Sequence, residues 1–377
     1  ISLAIAYSFR TSFGLLVEIF EQEFVTTRAI ASLGLTFNMV SYAIISPFAG
    51  YLCDIFSPRR IMLAGSLLAT VGYFCLSNVT NLIQMLILYG FVFALASAWM
   101  GQVPCTALIR SFTSGPATTT GFASAGIGIG SLFITPLIGV LLVVHHWRTV
   151  TGLLAFPPLF LAAALLFSEL AFSRSRSSSP TRTGESLSRT LPLVIRNGDF
   201  LSLFALFTTL CIAVYMVLVQ EVPYASANQI SGPASSLAVS LVIGTTLVGS
   251  PIIGFLSDRT TKHNVALVCY LLGILGIICL LILPSVPPAV RPVFLFLGSI
   301  LTGLAYASYL PTLPYITGIH LGNHLLGTKW GLITAGGGLG GGIGAWLGSM
   351  VFDLTGNYNY VWGVALLNIL IATTLMF

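Results

Sequence analysis

Ile61-Met-Leu-Ala-Gly-Ser-Leu-Leu-Ala-Thr-Val-Gly-Tyr-Phe-Cys-Leu76 is the stretch whose reading decides the fold. Apolar residues stand on every face of this run, so it has neither the polar-apolar alternation of a barrel strand nor the charged stripe of a surface helix. At 1.5 Å per residue, about 20 such residues cross a bilayer core ~30 Å thick. Only helices and closed barrels satisfy their backbone groups there. The run therefore predicts a transmembrane helix. Outward from it the same signature recurs, predicting spans at 1–20, 29–53, 61–79, 82–108, 119–144, 149–172, 200–219, 235–257, 264–284, 293–315, 329–352 and 358–377.

Composition agrees. Of 377 residues 7% are charged and 56% hydrophobic, and the mean hydropathy is +0.98, whereas a soluble domain carries roughly 25% charged residues. No water-soluble surface can be built from this inventory. The 38 glycines suit close helix approach in lipid. Cys53, Cys75, Cys105, Cys211, Cys269 and Cys279 are scattered without a CxxC pair, so neither a metal site nor a disulfide framework is expected, and no cofactor is implied. The chain opens at Ile1 and stops inside an apolar run at Phe377, so both tails and any targeting information are expected to be missing.

Ser173 to Asn197, beginning SRSRSSSPTRTGESLSR, is the one long polar stretch and reads as a flexible linker. The expected organisation is all-α, with an N-terminal six-helix bundle at 1–172, a cytoplasmic linker at 173–197 and a C-terminal six-helix bundle at 198–377. With the N-terminus and linker inside, the cytoplasmic side holds Arg59, Arg60, Arg110, Arg174, Arg176, Arg182, Arg189, Arg196, Arg259, Lys262 and Lys329, and the outer side Arg28, Arg148 and Arg291. That asymmetry satisfies the positive-inside rule. The net charge of +5 then needs no nucleic-acid partner. His145-His146 reads as a cap in an outer loop.

An internal repeat supports two related halves. Gly50-Tyr-Leu-Cys-Asp54-Ile-Phe-Ser-Pro-Arg59-Arg60 follows the second span, and Gly254-Phe-Leu-Ser-Asp258-Arg259-Thr-Thr-Lys262 follows the eighth, with the same glycine-to-aspartate spacing. On these residues the chain resembles the major facilitator superfamily. Within it, Asp54-Ile-Phe-Ser-Pro-Arg-Arg, then Arg110-Ser-Phe112 followed by Gly121-Phe-Ala-Ser-Ala125-Gly126-Ile-Gly128-Ile-Gly130, and finally Gly340 to Gly356 are similar to monocarboxylate transporters and oxalate:formate antiporters. The resemblance implies two pseudo-symmetric six-helix bundles, working as a monomer in the cell (inner) membrane, with glycine faces on helices five and eleven that let the halves rock. It also implies a conformational latch of Asp54, Arg59, Arg60, Arg110, Asp258 and Arg259, in which Asp54 pairs with Arg59 or Arg60.

Arg10 is the functional clue. A guanidinium in mid-span costs from ~2.5 kcal/mol upward, so it should face a wet cavity or a counter-charge. Tyr7-Ser-Phe-Arg10 looks like the first helix of monocarboxylate transporters, where a lysine serves the carboxylate and proton; arginine there would offer a planar fork. The plain alternative is an arginine that bonds helix carbonyls or a distant acid. Asn38, Gln102, Gln220, Tyr306 and Tyr309 join Tyr7 and Arg10 as expected substrate-binding residues, although each alone is also a common helix-helix hydrogen bonder. Two departures count against a dicarboxylate. Ser250 stands before Pro251 where the relatives carry arginine, and Trp330 to Gly344 holds no charge. Gln220 occupies the place of a relative's histidine, which leaves Glu18 and Glu221 as proton-carrying candidates.

The expected function is a secondary active transporter that moves a small organic anion of the monocarboxylate type across a lipid bilayer by alternating access, with proton coupling open. The rival is an exporter of hydrophobic or amphiphilic compounds, suggested by 25 Phe and 13 Tyr. An enzyme is not expected, for no zinc-type His/Glu spacing, Ser-His-Asp set or phosphate-cradling loop is present.

Overall fold

The computed structural model describes residues 1–110, 115–172, 192 and 194–376. Most of the expected linker, with Arg174, Arg176, Arg182 and Arg189, lies outside the described residues, as do Ser111 and Phe112. The described residues fold into helical rods joined by short turns, and no strand occurs among them. The rods are α1 (Ser2–Glu23), α2 (Arg28–Ile55), α3 (Pro58–Ser77), α4 (Leu82–Arg110), α5 (Pro116–Val144) and α6 (Trp147–Glu169). After the linker come α7 (Gly198–Ala227), α8 (Gly232–Arg259), α9 (Lys262–Ile282), α10 (Arg291–Leu321), α11 (Leu326–Thr355) and α12 (Tyr358–Thr374). These are the twelve spans expected from hydropathy. Ten have both the length and the apolarity to cross a bilayer. The other two are α11, diluted by glycine, and the 17-residue α12.

Helix starts are encoded locally. The side chains of Thr27, Asn81, Asn197 and Asn357 accept hydrogen bonds from the first backbone N–H groups of α2, α4, α7 and α12, which have no partner within the helix. Proline in the first turn begins α3, α8 and α10, where its missing N–H costs nothing. His146 caps the first turn of α6, accepting from the Arg148 N–H. Two ends require glycine: Gly322 after α10 and Gly356 after α11 have φ of 76° and 63°, where a side chain would be strained. Inside α4 and α5 the ladder widens to single π turns at Leu88–Val92 and Gly130–Ile134, and α4 breaks at Gly101.

Contacts divide the chain into two compact units. Unit 1 comprises Ile1–Thr113, Ile129–Leu193 and Asn323–Ala335, so it holds the start of α11. Its core is aromatic and sulfur-rich, built on Phe13, Phe20, Tyr73, Met85, Phe93 and Trp147. Unit 2 comprises Ser114–Gly128, Val194–Gly322 and Gly336–Phe377, so it holds the first half of α5.

Within each unit glycine sets how closely backbones approach. In unit 2 a Cβ on Gly121 of α5 would collide with the Ser250 carbonyl and the Pro251 backbone of α8. In unit 1 a Cβ on Gly331 of α11 would collide with the Ser46 carbonyl and Pro47 of α2. Gly342, by contrast, faces open space. Overpacking costs about 1–3 kcal/mol, whereas alanine for glycine at an open helical position gains up to about 1 kcal/mol. Gly121→Ala is therefore expected to lower the apparent melting temperature in detergent, and Gly342→Ala to leave it unchanged or raise it, as measured by thermal-shift fluorescence.

Candidate functional site

Unit 1 gathers one set of the expected residues. Tyr7 and Arg10 lie one turn apart on α1. Tyr7 is buried and Arg10 half-buried. The Arg10 guanidinium carbon stands 4.2 Å from the ring centroid of Tyr42 on α2, and 5.8 Å from that of Tyr7. A desolvated cation over an aromatic face gains up to about 2 kcal/mol. Gln102 opens the helical segment after the break at Gly101, and its Nε2 donates to the Tyr7 hydroxyl. The four side chains thus form one polar, aromatic group from α1, α2 and α4. Tyr42 was not anticipated, since nothing in an apolar span marks which tyrosine faces a cation.

Asn38 has a different place. Its Nδ2 donates 2.9 Å to the carbonyl of Tyr89, which lies in the π turn of α4. A π turn interrupts the regular ladder, so this amide ties α2 to α4 as a helix-helix bond.

Unit 2 gathers another set. Tyr306 and Tyr309 on α10 are buried, with ring centroids 5.0 Å apart. Tyr309 stacks on Phe207 of α7 at 5.1 Å, and Tyr306 meets Tyr215 edge-on at 6.5 Å. Gln220 donates 2.8 Å to the Ser349 hydroxyl, joining α7 to α11. The two acids considered for proton transfer differ sharply: Glu18 is exposed on α1, while Glu221 is 0% exposed and pairs with Ser299 of α10.

The repeated aspartate motif has a definite geometry, set by the start of another helix. Asp54 Oδ1 accepts from Gly327 N at 2.8 Å, and Oδ2 accepts from Thr328 N and Thr328 Oγ1, each at 2.7 Å. These are the second and third residues of α11, whose leading N–H groups are unpaired and carry the positive end of the helix dipole. A carboxylate from another helix is acting as the cap. Arg60 instead meets Glu169 of α6 at 2.6 Å.

The second copy repeats the arrangement inside unit 2. Asp258 Oδ1 accepts from Ala117 N at 3.2 Å, and Oδ2 accepts from Thr118 N and Thr118 Oγ1, each at 2.7 Å. Ala117 and Thr118 are again the second and third residues of their helix, α5. The glycine of each motif lies one turn before the aspartate on the same face. A Cβ on Gly50 would strike the Gly327 carbonyl, and one on Gly254 the Ala117 carbonyl.

The ladder extends a further turn, to Ser46 and Ser250, so the repeat is Ser-Pro-x-x-Gly-x-x-x-Asp at 46–54 and at 250–258. That longer pattern, and the paired Gly327-Thr328 and Ala117-Thr118 at helix starts, are the signals in the sequence that a reading of the Gly-to-Asp spacing overlooks. Ser250, singled out as a lost arginine, occupies a close-packed seam and donates to the Ala307 carbonyl at 2.8 Å.

The other expected latch residues stand near these caps. Arg110 Nη2 donates to Asn323 Oδ1 at 2.9 Å, just ahead of α11. Arg59 is half-buried at the start of α3. Arg259 lies over the Phe255 ring at 4.0 Å. Lys329, counted above on the cytoplasmic side and the first residue of the expected span 329–352, lies in the first turns of α11 and is 7% exposed.

The sequence model of the Major Facilitator Superfamily matches residues 1–226 and 201–377. The chain is similar to Monocarboxylate transporter 13 of Bos taurus, 25% identical over 370 residues covering 96% of this chain and 83% of that protein. It is also similar to Monocarboxylate transporter 12-B of Danio rerio, 24% identical over 76% of this chain and 66% of that protein. Among solved structures, the E. coli fucose:proton symporter FucP aligns over 100% of this chain and 96% of its own with a TM-score of 0.68. At 17% identity that likeness concerns the fold alone.

Removing a charged hydrogen-bond partner from a buried group costs about 1.5–3 kcal/mol. Asp54→Ala and Asp258→Ala are each expected to lower thermal stability by that order. Thr328→Val and Thr118→Val, which keep the backbone bonds, should cost less. Because the caps lie on separate helices, the double aspartate variant should be close to additive in thermal-shift measurements.

Proposed function

This chain belongs to the Major Facilitator Superfamily and is a multi-pass membrane transporter rather than an enzyme, and from that premise we propose that it carries a small organic anion of the monocarboxylate class by alternating access. Arg10 is the anchor. The observation that carries the reading is the guanidinium half-way along α1, held over Tyr42 with the Tyr7–Gln102 pair beside it. A planar fork oriented by aromatic faces is suited to a single carboxylate. Monocarboxylate transporters at about 25% identity support the substrate class.

In this reading the bundles 1–172 and 198–377 rock about the glycine seams, joined by the linker 173–197. The arginine asymmetry puts the N-terminus and linker in the cytoplasm. The aspartate caps on α11 and α5 act as latches: they hold in one conformation and part in another, with Arg59, Arg60, Arg110 and Arg259 around them.

A second reading is an exporter of amphiphilic compounds, favoured by the aromatic cluster of Phe207, Tyr215, Tyr306 and Tyr309. Uptake of a panel of radiolabelled short-chain carboxylates into proteoliposomes separates the two, since such an exporter ignores all of them. With a transported carboxylate in hand, Arg10→Ala should cut uptake by about 10–100-fold, the equivalent of a lost charged hydrogen bond, and Arg10→Lys should retain part of it. Wild-type uptake by well-folded Arg10→Ala overturns the role of Arg10.

A further inference from the structure

Glu221 lies on α7 about two turns before the helix ends at Asn228, and it is 0% exposed. Its Oε1 is 2.5 Å from the hydroxyl oxygen of Ser299 on α10. The same Ser299 oxygen is 2.7 Å from the carbonyl of Leu295, four residues earlier on its own helix. Its Oε2 is buried and has no hydrogen-bond partner among the described residues.

A serine hydroxyl has one hydrogen to donate, and a backbone carbonyl has none. Two short O···O contacts meet at Ser299, to the Leu295 carbonyl and to Glu221, and a two-centre hydrogen bond in each needs a hydrogen between its oxygens. Ser299 supplies one. If it goes to the carbonyl, the other must come from Glu221. Burial argues the same way, because an ionised carboxylate in hydrocarbon demands several donors or a cation, and Oε2 has neither.

The charged and titratable groups at this end of the packed elements do not supply that cation. Tyr224 of α7 donates its hydroxyl to the Leu280 carbonyl at 2.5 Å. Arg291 of α10 spends its guanidinium on the carbonyls of Asn228, Val286 and Pro284. Asp353 of α11 is exposed. Cys279 of α9 and Tyr358 of α12 carry no positive charge, and α8 contributes no titratable residue at this end.

We propose that Glu221 is a proton-binding site of this protein, protonated in this conformation and donating to Ser299, which passes its own hydrogen to the Leu295 carbonyl. Binding forms one O–H bond on the carboxylate and removes one proton from water, with no change of oxidation state. On the transporter reading above, on which the consequence rests, a proton held here is released when a conformation wets the pocket, so Glu221 couples proton binding to the cycle. Ser299 is a positioning residue, since it orients the acid without gaining or losing charge.

Infrared spectroscopy of the full chain in lipid at pH 7 tests the site without any substrate. The wild type should show the C=O stretch of a protonated carboxylic acid that Glu221→Gln lacks. Ser299→Ala, which keeps the acid and removes its partner, should retain the band but shift it. Identical spectra in this region for wild type and a well-folded Glu221→Gln overturn the proposal. Should Glu221→Gln fail to fold, an unshifted band in Ser299→Ala overturns it equally. Because no anion is present, this outcome is independent of whether the chain carries carboxylates.

Discussion

Hydrocarbon provides no hydrogen-bond partner, and that constraint governs every part of this molecule. Backbone groups inside the bilayer must pair within the protein, which is why the chain is a set of helices. The consequence falls hardest on helix ends and on polar side chains, because their groups are the ones a regular ladder leaves over. Nearly every polar residue discussed above is an answer to that problem: Asn38 meets the carbonyl of a π turn, Gln220 a serine on α11, Ser250 a carbonyl on α10.

The two aspartate caps are the most instructive answer. A helix start is usually capped by the residue just before it. Here α5 and α11 receive a carboxylate from another helix, and glycine one turn earlier lets the two backbones come close enough for it to reach. The requirement for a small residue and for an acid is one geometric requirement, expressed at positions four apart. A cap of this kind is also breakable. Water can replace it once the helices separate, so the same contact that stabilises one arrangement imposes little penalty on another.

Arg10 and Glu221 show opposite solutions for a charge in a span. The cation keeps its charge and spreads it over aromatic faces, in a half-buried place. The acid is fully enclosed beside a single hydroxyl, surroundings that suit a neutral carboxylic acid. Two ionisable side chains, both unusual within spans, are thereby given different surroundings, one half-buried among aromatic rings and the other enclosed beside a hydroxyl.

Hydropathy by itself determined the number, order and approximate limits of the spans, because burial in lipid is a property of each stretch and does not depend on its partners. The repeated Gly-x-x-x-Asp was visible as a repeat, and Arg10 and Glu221 as charges where charges are costly. What the tertiary structure alone decided was partnership. Asp54 lies 273 residues from Gly327, and no local pattern says that the acid faces a helix start rather than Arg60. Nor does any pattern show that Lys329 is enclosed, that Tyr42 faces Arg10, or that Ser299 meets Glu221. Hydrogen bonds and cation-aromatic contacts act over a few ångströms in space, and helix packing, which brings distant stretches within that range, is the information a linear sequence does not display.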